Sequence, residues 1–417
     1  MGRLVIEGGR RIDGEFALQG AKNAVLPILA ATVLNGGKNI VYNCPELSDV
    51  SSTIEVLENL GCKVVRHQNI LEVDSSDMNS HTIPERLMRK MRSSIIFLGA
   101  IIARCKKACV SMPGGCEIGQ RPIDLHLKAL RALGIEITES HGYINCVADK
   151  ITGADIHLDF PSVGATENIM LAACTADGIT TIENAAREPE IMDLQNFLNR
   201  MGARISGGGG SVIRIEGVKK LSGVEHTIMP DRIVAGTYLA AAAATKGQII
   251  LNGADCTHMS AILNLLSDMG CRIYREEARV ILTANRRLLA AATVKTMPYP
   301  GFPTDIQSPF MALAAIADGT TIFIENIFEN RYQHVDELVR MGADIRLDGR
   351  CAVVVGAERL TGANVVAKEL RGGAALVVAG LAADGITTIE NTKYIDRGYE
   401  RIEDYLALSG AKITRKE

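Results

Sequence analysis

Four basic residues stand where a helix least tolerates them. Lys22, Arg92, Arg232 and Arg371 each fall at the start of an apolar stretch that reads as a helix. A helix N-terminus carries unpaired N–H groups and roughly half a positive charge, so a carboxylate there is an ordinary cap and a cation is opposed. An anionic ligand set among several such cations resolves the conflict. The six helix starts read Lys22-Asn23, Arg92-Ser93-Ser94, Ser162-Val163-Gly164, Asp231-Arg232, Thr304-Asp305 and Glu369-Leu370-Arg371. Taken singly, each cation also reads as a solvated surface charge, and Arg232 has a local partner in Asp231. Lys22 and Arg92, directly before long apolar helices, favour the ligand.

Three more segments carry chemistry. Pro113-Gly114-Gly115-Cys116-Glu117-Ile118-Gly119-Gln120-Arg121-Pro122 is a glycine-rich loop with a thiol and an arginine. A core position is the plain reading of the other cysteines, but a Gly-Gly turn offers Cys116 no core, and nearby cations lower a thiol pKa. Phe328-Glu329-Asn330-Arg331 and Tyr394-Ile395-Asp396-Arg397-Gly398-Tyr399 each set an arginine in a turn after a strand. The run Gly207 to Gly210 lacks the Lys-Ser/Thr of a phosphate loop and reads as a hairpin turn. Without an HxxxH or CxxC pair, neither a metal nor another cofactor is expected.

The elements that must position these residues repeat. Leu-x-x-x-Gly-(Ala/Cys/Ile)-x-(Ile/Val) occurs at Leu57, Leu130, Leu198, Leu266, Leu338 and Leu406, and a shared phrase of this kind signals a repeat architecture. Upstream, an Ala/Leu-rich helix is stopped at Gly37, Gly178, Gly247, Gly319 and Gly385, while one copy has Ala103-Arg104-Cys105-Lys106-Lys107 instead. β-branched strands follow, such as Thr180-Thr181-Ile182-Glu183-Asn184, so each unit reads as helix, strand, helix, strand with a further hairpin. The first helix of each unit is apolar nearly all round and must be surrounded by protein. An extended solenoid is the alternative. The expected fold is α/β, two domains of three repeats each, with the apolar helices at the centre.

Composition narrows the partners. A chain of 417 residues, 47% hydrophobic and 22% charged, has room for two cores. A net charge of −3 gives no global pull toward nucleic acid or an anionic membrane, so the expected partner is a small molecule. The longest apolar stretch, Ala374 to Ala383, is too short to span a bilayer. Ten cysteines without regular spacing or a signal peptide read as free thiols of a reducing compartment, hence a cytoplasmic protein. Oligomeric state stays open.

Taken together, Gly20-Ala21-Lys22-Asn23, Pro113-Gly114-Gly115-Cys116, Arg121-Pro122-Ile123-Asp124-Leu125, Ser162-Val163-Gly164-Ala165-Thr166, Phe302-Pro303-Thr304-Asp305, Ile327-Phe328-Glu329-Asn330-Arg331 and Asp396-Arg397-Gly398-Tyr399-Glu400-Arg401 resemble the UDP-N-acetylglucosamine 1-carboxyvinyltransferase family. The resemblance runs from Leu4 to Ile413. It implies an inside-out α/β barrel fold in two domains, residues 22–229 and residues 230–417 with 1–21. It implies transfer of the enolpyruvyl group of phosphoenolpyruvate to the 3'-hydroxyl of UDP-N-acetylglucosamine, with release of phosphate, as the first committed step of peptidoglycan synthesis. Cys116 would be the general acid and Asp305 would act on the sugar hydroxyl. Lys22, Arg121 and Arg397 would clamp phosphate and carboxylate, with Arg92, Arg331 and Arg371 near them. Asn23, Arg121, Pro122, Ile123, Asp124, Leu125, Ser162, Val163, Gly164 and Ile327 would contact the nucleotide-sugar. Arg371-Gly372-Gly373, Phe160 and Glu369 depart from the family's common pattern. The enolpyruvyl transferases that act on shikimate 3-phosphate lack the Pro-Gly-Gly-Cys loop; an idle paralogue and a purely structural repeat protein are the other readings.

Overall fold

The computed structural model describes residues 2–112 and 123–416. Two compact units divide them, one of residues 2–19 and 230–416 and one of residues 20–112 and 123–229. They are called here the Asp305 unit and the Lys22 unit. Gly20 and Ala21, expected with residues 1–19, belong instead to the Lys22 unit. The Ala21 N–H donates to the Met229 carbonyl at 2.7 Å, and a Cβ at Gly20 would lie 1.9 Å from the Asn43 carbonyl oxygen.

Among the described residues, six helices are buried almost entirely. The Lys22 unit has α1 (Lys22–Ala31), α2 (Phe97–Cys105) and α3 (Val163–Ala173), and the Asp305 unit has α4 (Arg232–Ala244), α5 (Thr304–Ala314) and α6 (Leu370–Ala382). Their Ala, Leu, Ile and Val content leaves no polar face, so only a protein interior can take them. In the Asp305 unit α4, α5 and α6 pack on one another; in the Lys22 unit α2 packs on α3 and on α1. Arg92, read as a helix start, opens a 3-10 turn Arg92–Ile96, and the α-helix begins at Phe97.

Around these helices the described residues form six four-stranded sheets of one pattern. In the sheet Glu225–Thr227, Lys38–Tyr42, Ile70–Asp74, Lys63–His67, the short edge strand runs parallel to the strand that follows a buried helix, and an antiparallel hairpin completes the sheet. Two sheets of the Asp305 unit take a strand from the first residues: Asp13–Ala17 runs parallel to Gln248–Asn252, and Arg3–Glu7 lies antiparallel between Ile386–Glu390 and Lys412–Lys416, pairing Leu4 with Ile389 and Ile6 with Ile413. Those pairings are why the first residues join the C-terminal half.

Each Leu-x-x-x-Gly phrase ends an outer helix. Gly61, Gly134, Gly202, Gly270, Gly342 and Gly410 have φ between 82° and 105°. The next residue (Cys62, Ile135, Ala203, Cys271, Ala343 or Ala411) donates its N–H back to the leucine carbonyl at 3.0–3.3 Å, the Schellman closure that a left-handed glycine permits. The stops after the buried helices are less uniform. Gly178, Gly319 and Gly385 are left-handed, but Gly36, Lys106 and Lys246 take that role elsewhere. Gly247 is needed for space, since a Cβ there would lie 1.9 Å from the Ile12 carbonyl oxygen. Among the described residues no helix is long and apolar enough to cross a membrane, and no group of His, Cys, Asp and Glu could hold a metal ion.

Candidate active site

Asp305 sits in the first turn of α5, where its charge suits the helix dipole. Its carboxylate bridges two arginines, Arg331 Nη2 at 3.1 Å and Arg371 Nη2 at 3.0 Å. Both guanidinium groups are buried, whereas the Asp305 side chain keeps 26% of its surface exposed. Burial alone would lower the pKa of Arg371; Asp305, helped by Tyr399 and Asp231, more than reverses this and keeps it charged. Among the described residues, Arg371 Nε and Nη1 and Arg331 Nε meet no hydrogen-bond acceptor within bonding distance. Buried donors of this kind are costly unless an acceptor arrives.

The surrounding residues hold this triad. Glu369 caps α6, accepting the N–H groups of Arg371 (2.8 Å) and Gly372, and lies 3.8 Å from Arg331. The Arg331 guanidinium also donates to the Thr304 carbonyl at 3.0 Å. Thr304 Oγ1 donates to Glu325 at 3.0 Å, and the other Glu325 oxygen accepts the N–H groups of Ile327 and Phe328 at 2.9 and 3.0 Å. Gly372 and Gly373 leave little room for a side chain: a Cβ at 372 would lie 2.8 Å from His334 Cβ, and one at 373 would lie 2.7 Å from Ile395 Cγ1. Ile395 belongs to the 3-10 turn Thr392–Arg397 that carries Arg397, while the Tyr399 ring lies 5.6 Å under the Arg371 guanidinium. Burial, then the Arg331 charge, pulls the His334 pKa down to about 3, so that ring is neutral.

In the Lys22 unit, Lys22 is buried in the first turn of α1 and its Nζ lies 2.7 Å from Asp49, in the first turn of the outer helix Ser48–Asn59. The chain thus supplies part of the negative charge that the helix start demands. Asn168 of α3 joins three other elements. Its amide nitrogen donates to the Ile95 carbonyl (3.0 Å) and to His126 Nδ1 (2.7 Å), and its oxygen accepts the Gly99 N–H (2.7 Å). Burial, then Arg92, lowers the His126 pKa to about 4, which leaves Nδ1 free to accept. This network ties the turn of Arg92 and the start of α2 to the helix Asp124–Ala132 through the middle of α3. Ser162 caps α3 by accepting the Ala165 N–H at 3.3 Å, and Gly164 faces His126.

The structure therefore gathers Asp305, Arg331, Arg371, Ile327 and the turn of Arg397 in one unit. In the other it gathers Arg92, Ile123, Asp124, Leu125, Ser162, Val163 and Gly164, with Lys22 and Asn23 at the head of α1, which packs on the Arg92 turn. Cys116, Arg121 and Pro122 lie outside the described residues. Asp231 caps α4 by accepting the N–H groups of Ile233 and Val234, and Arg232 lies over the Tyr299 ring. Asp49, His126, Asn168, Glu325 and His334 were not foreseen. Only Glu325 left a trace: six residues after the stop glycine, Asn43, Asn184, Gly253 and Asn391 are left-handed, whereas the fifth copy has Glu325 in an ordinary conformation.

A family model described as EPSP synthase (3-phosphoshikimate 1-carboxyvinyltransferase) matches residues 6–406, and the chain belongs to this enolpyruvyl transferase family. Within it, the chain is 55% identical over 415 residues to UDP-N-acetylglucosamine 1-carboxyvinyltransferase 2 of Caldanaerobacter subterraneus subsp. tengcongensis, covering 100% of both. It is 50% identical to UDP-N-acetylglucosamine 1-carboxyvinyltransferase 1 of Carboxydothermus hydrogenoformans, covering 100% of this chain and 98% of that one. Among solved structures, the enolpyruvyl transferase NikO from Streptomyces tendae shares the fold with a TM-score of 0.90 at 23% identity, covering 100% of this chain and 99% of that one. EPSP synthase from Acinetobacter baumannii shares it at 0.77 and 18%, covering 100% of both.

Proposed function

We infer that this chain transfers the enolpyruvyl group of phosphoenolpyruvate to the 3'-hydroxyl of UDP-N-acetylglucosamine and releases phosphate, the first step of peptidoglycan synthesis. Relatives named for this reaction are about half identical to it along its full length. The observation that carries the chemistry is Asp305: an accessible carboxylate held by two buried guanidinium groups with donors that nothing among the described residues accepts. Such donors suit an anionic substrate, and the carboxylate beside them can take a proton from an attacking hydroxyl.

In the proposed sequence a proton adds to the methylene carbon of phosphoenolpyruvate, leaving an oxocarbenium-like centre. The sugar hydroxyl adds to that centre as Asp305 accepts its proton, giving a tetrahedral ketal. A proton then leaves the new methyl group as the C–O bond to phosphate breaks. Cys116 is the proposed donor of the first proton. Lys22, Arg121 and Arg397 are assigned to the phosphate and carboxylate, with Arg92, Arg331 and Arg371 supporting them; preorganised cations of this kind stabilise the leaving phosphate. Asn23, Arg121 to Leu125, Ser162 to Gly164 and Ile327 are assigned to the nucleotide-sugar.

The inside-out barrel of three repeats per unit is proposed on the three matching sheets and three buried helices in each unit. A cytoplasmic site of action is proposed too, on nine cysteines that are all free among the described residues. Phosphate release on mixing the protein with phosphoenolpyruvate and UDP-N-acetylglucosamine, with shikimate 3-phosphate as the parallel acceptor, tests the assignment. Release with the UDP-sugar alone is expected. Release with neither acceptor, from folded protein that binds UDP-sugar, identifies an idle paralogue.

A further inference from the structure

The turn that carries Arg397 is held from two sides by residues that no motif singled out. Gln19 is buried at the end of the first stretch of the Asp305 unit. Its amide nitrogen donates to the Gly398 carbonyl at 3.3 Å, and its amide oxygen accepts the Glu400 N–H at 2.9 Å. One side chain thus grips the backbone immediately after Arg397. The Gln19 main-chain carbonyl is engaged separately, accepting the Asp231 N–H at 3.0 Å where the chain re-enters the unit.

Arg415 grips the other side. From the strand Lys412–Lys416 its guanidinium makes two bonds to Asp396, at 3.0 and 2.7 Å, and two to Glu403, at 2.6 and 3.0 Å. A fifth contact reaches Thr392 Oγ1 at 3.1 Å. Thr392 opens the turn and Asp396 directly precedes Arg397. Glu403 most strongly, then Asp396, outweighs burial and holds Arg415 charged. The Tyr399 hydroxyl, bonded to Thr237 at 2.8 Å, fixes a third point.

A flexible cation binds an anion well only when little freedom remains to be lost on binding. We propose that Gln19 and Arg415 are positioning residues for Arg397, fixing the backbone on both sides of it so that its guanidinium meets phosphoenolpyruvate already oriented. The proposal rests on the assignment of Arg397 to the phosphoenolpyruvate clamp. A purely structural role predicts lost stability alone; a positioning role predicts a selective effect on one substrate.

The test measures KM for phosphoenolpyruvate and kcat by phosphate release, with UDP-N-acetylglucosamine affinity by calorimetry and the thermal midpoint alongside, all on the full chain. Gln19→Met keeps the side-chain length and the backbone bond to Asp231 while deleting both amide bonds. It should raise KM for phosphoenolpyruvate about tenfold, the scale of two hydrogen bonds, and leave UDP-sugar affinity unchanged. Gln19→Glu, which keeps the acceptor for Glu400 and loses the donor to Gly398, should give a smaller rise. Arg415→Lys should raise KM less than Arg415→Met, because lysine keeps the charge but not the two-sided fork.

Arg397→Lys should raise the same KM, and adding Gln19→Met to it should then cost less than about a further twofold, since Gln19 acts through Arg397. A Gln19→Met enzyme with wild-type KM overturns the proposal and leaves Arg397 in its role, whatever happens to the thermal midpoint. So does an effect that multiplies in full with Arg397→Lys. A wild-type KM in Arg397→Lys removes Arg397 from the clamp, and the proposal falls with it.

Discussion

At Asp305 two tasks meet, because the carboxylate that anchors Arg331 and Arg371 is also the proposed acceptor of the hydroxyl proton. Asp305→Asn keeps the shape and removes the charge. Turnover should fall by about 100-fold or more, the usual scale of a lost general base, while calorimetry still detects UDP-N-acetylglucosamine binding. Normal kcat in that variant removes Asp305 from proton transfer. Lys22 poses the complementary case, since its removal takes one charge out of a buried ion pair with Asp49. Lys22→Met should lower stability by about 3 kcal/mol in urea unfolding. Lys22→Met with Asp49→Asn should recover most of that stability and none of the activity, which separates the pairing from the substrate role. Equal activity loss and recovery would mean that Lys22 serves only the fold.

Among elements, α6 depends on its first turn. Glu369 accepts two N–H groups there, and Glu369→Ala should destabilise the protein by about 1–2 kcal/mol, read as a shift of the urea midpoint. An unchanged midpoint would show that the cap is dispensable. The outer helix stops were legible in the sequence for a local reason: the Leu-x-x-x-Gly closure is made within six residues, and all six take it. The buried helix stops were less so. Lys106 and Lys246 adopt the left-handed conformation that glycine adopts elsewhere, because the tertiary contacts of the following strands decide the turn.

Over the whole molecule, acid stability has opposing contributions. His126 in one unit and His334 in the other have folded pKa values near 4 and 3, below the ordinary 6.5. Their stability is present above that ordinary value and is lost as pH falls toward the folded values, by up to about 1.4 kcal/mol per pH unit for each group. Glu167 acts in the other direction: burial, then Glu190 and Glu188, raise its pKa, so it gains stability on acidification. The clean readout is therefore a difference. Between about pH 6.5 and pH 5, urea unfolding of His126→Gln should lose stability less steeply than the wild type; parallel curves would mean that His126 titrates normally when folded. By itself the sequence determined the helix stops, the apolar helices and the charged residues at their starts, because each follows from neighbours a few positions apart. The tertiary structure alone decided which charges meet. Asp305 finds partners 26 and 66 positions away, Gln19 reaches Gly398 and Glu400, and the first strand enters the last sheet. Local preferences are the same wherever a helix or strand docks, so only the packing of whole elements brings these side chains within hydrogen-bond reach.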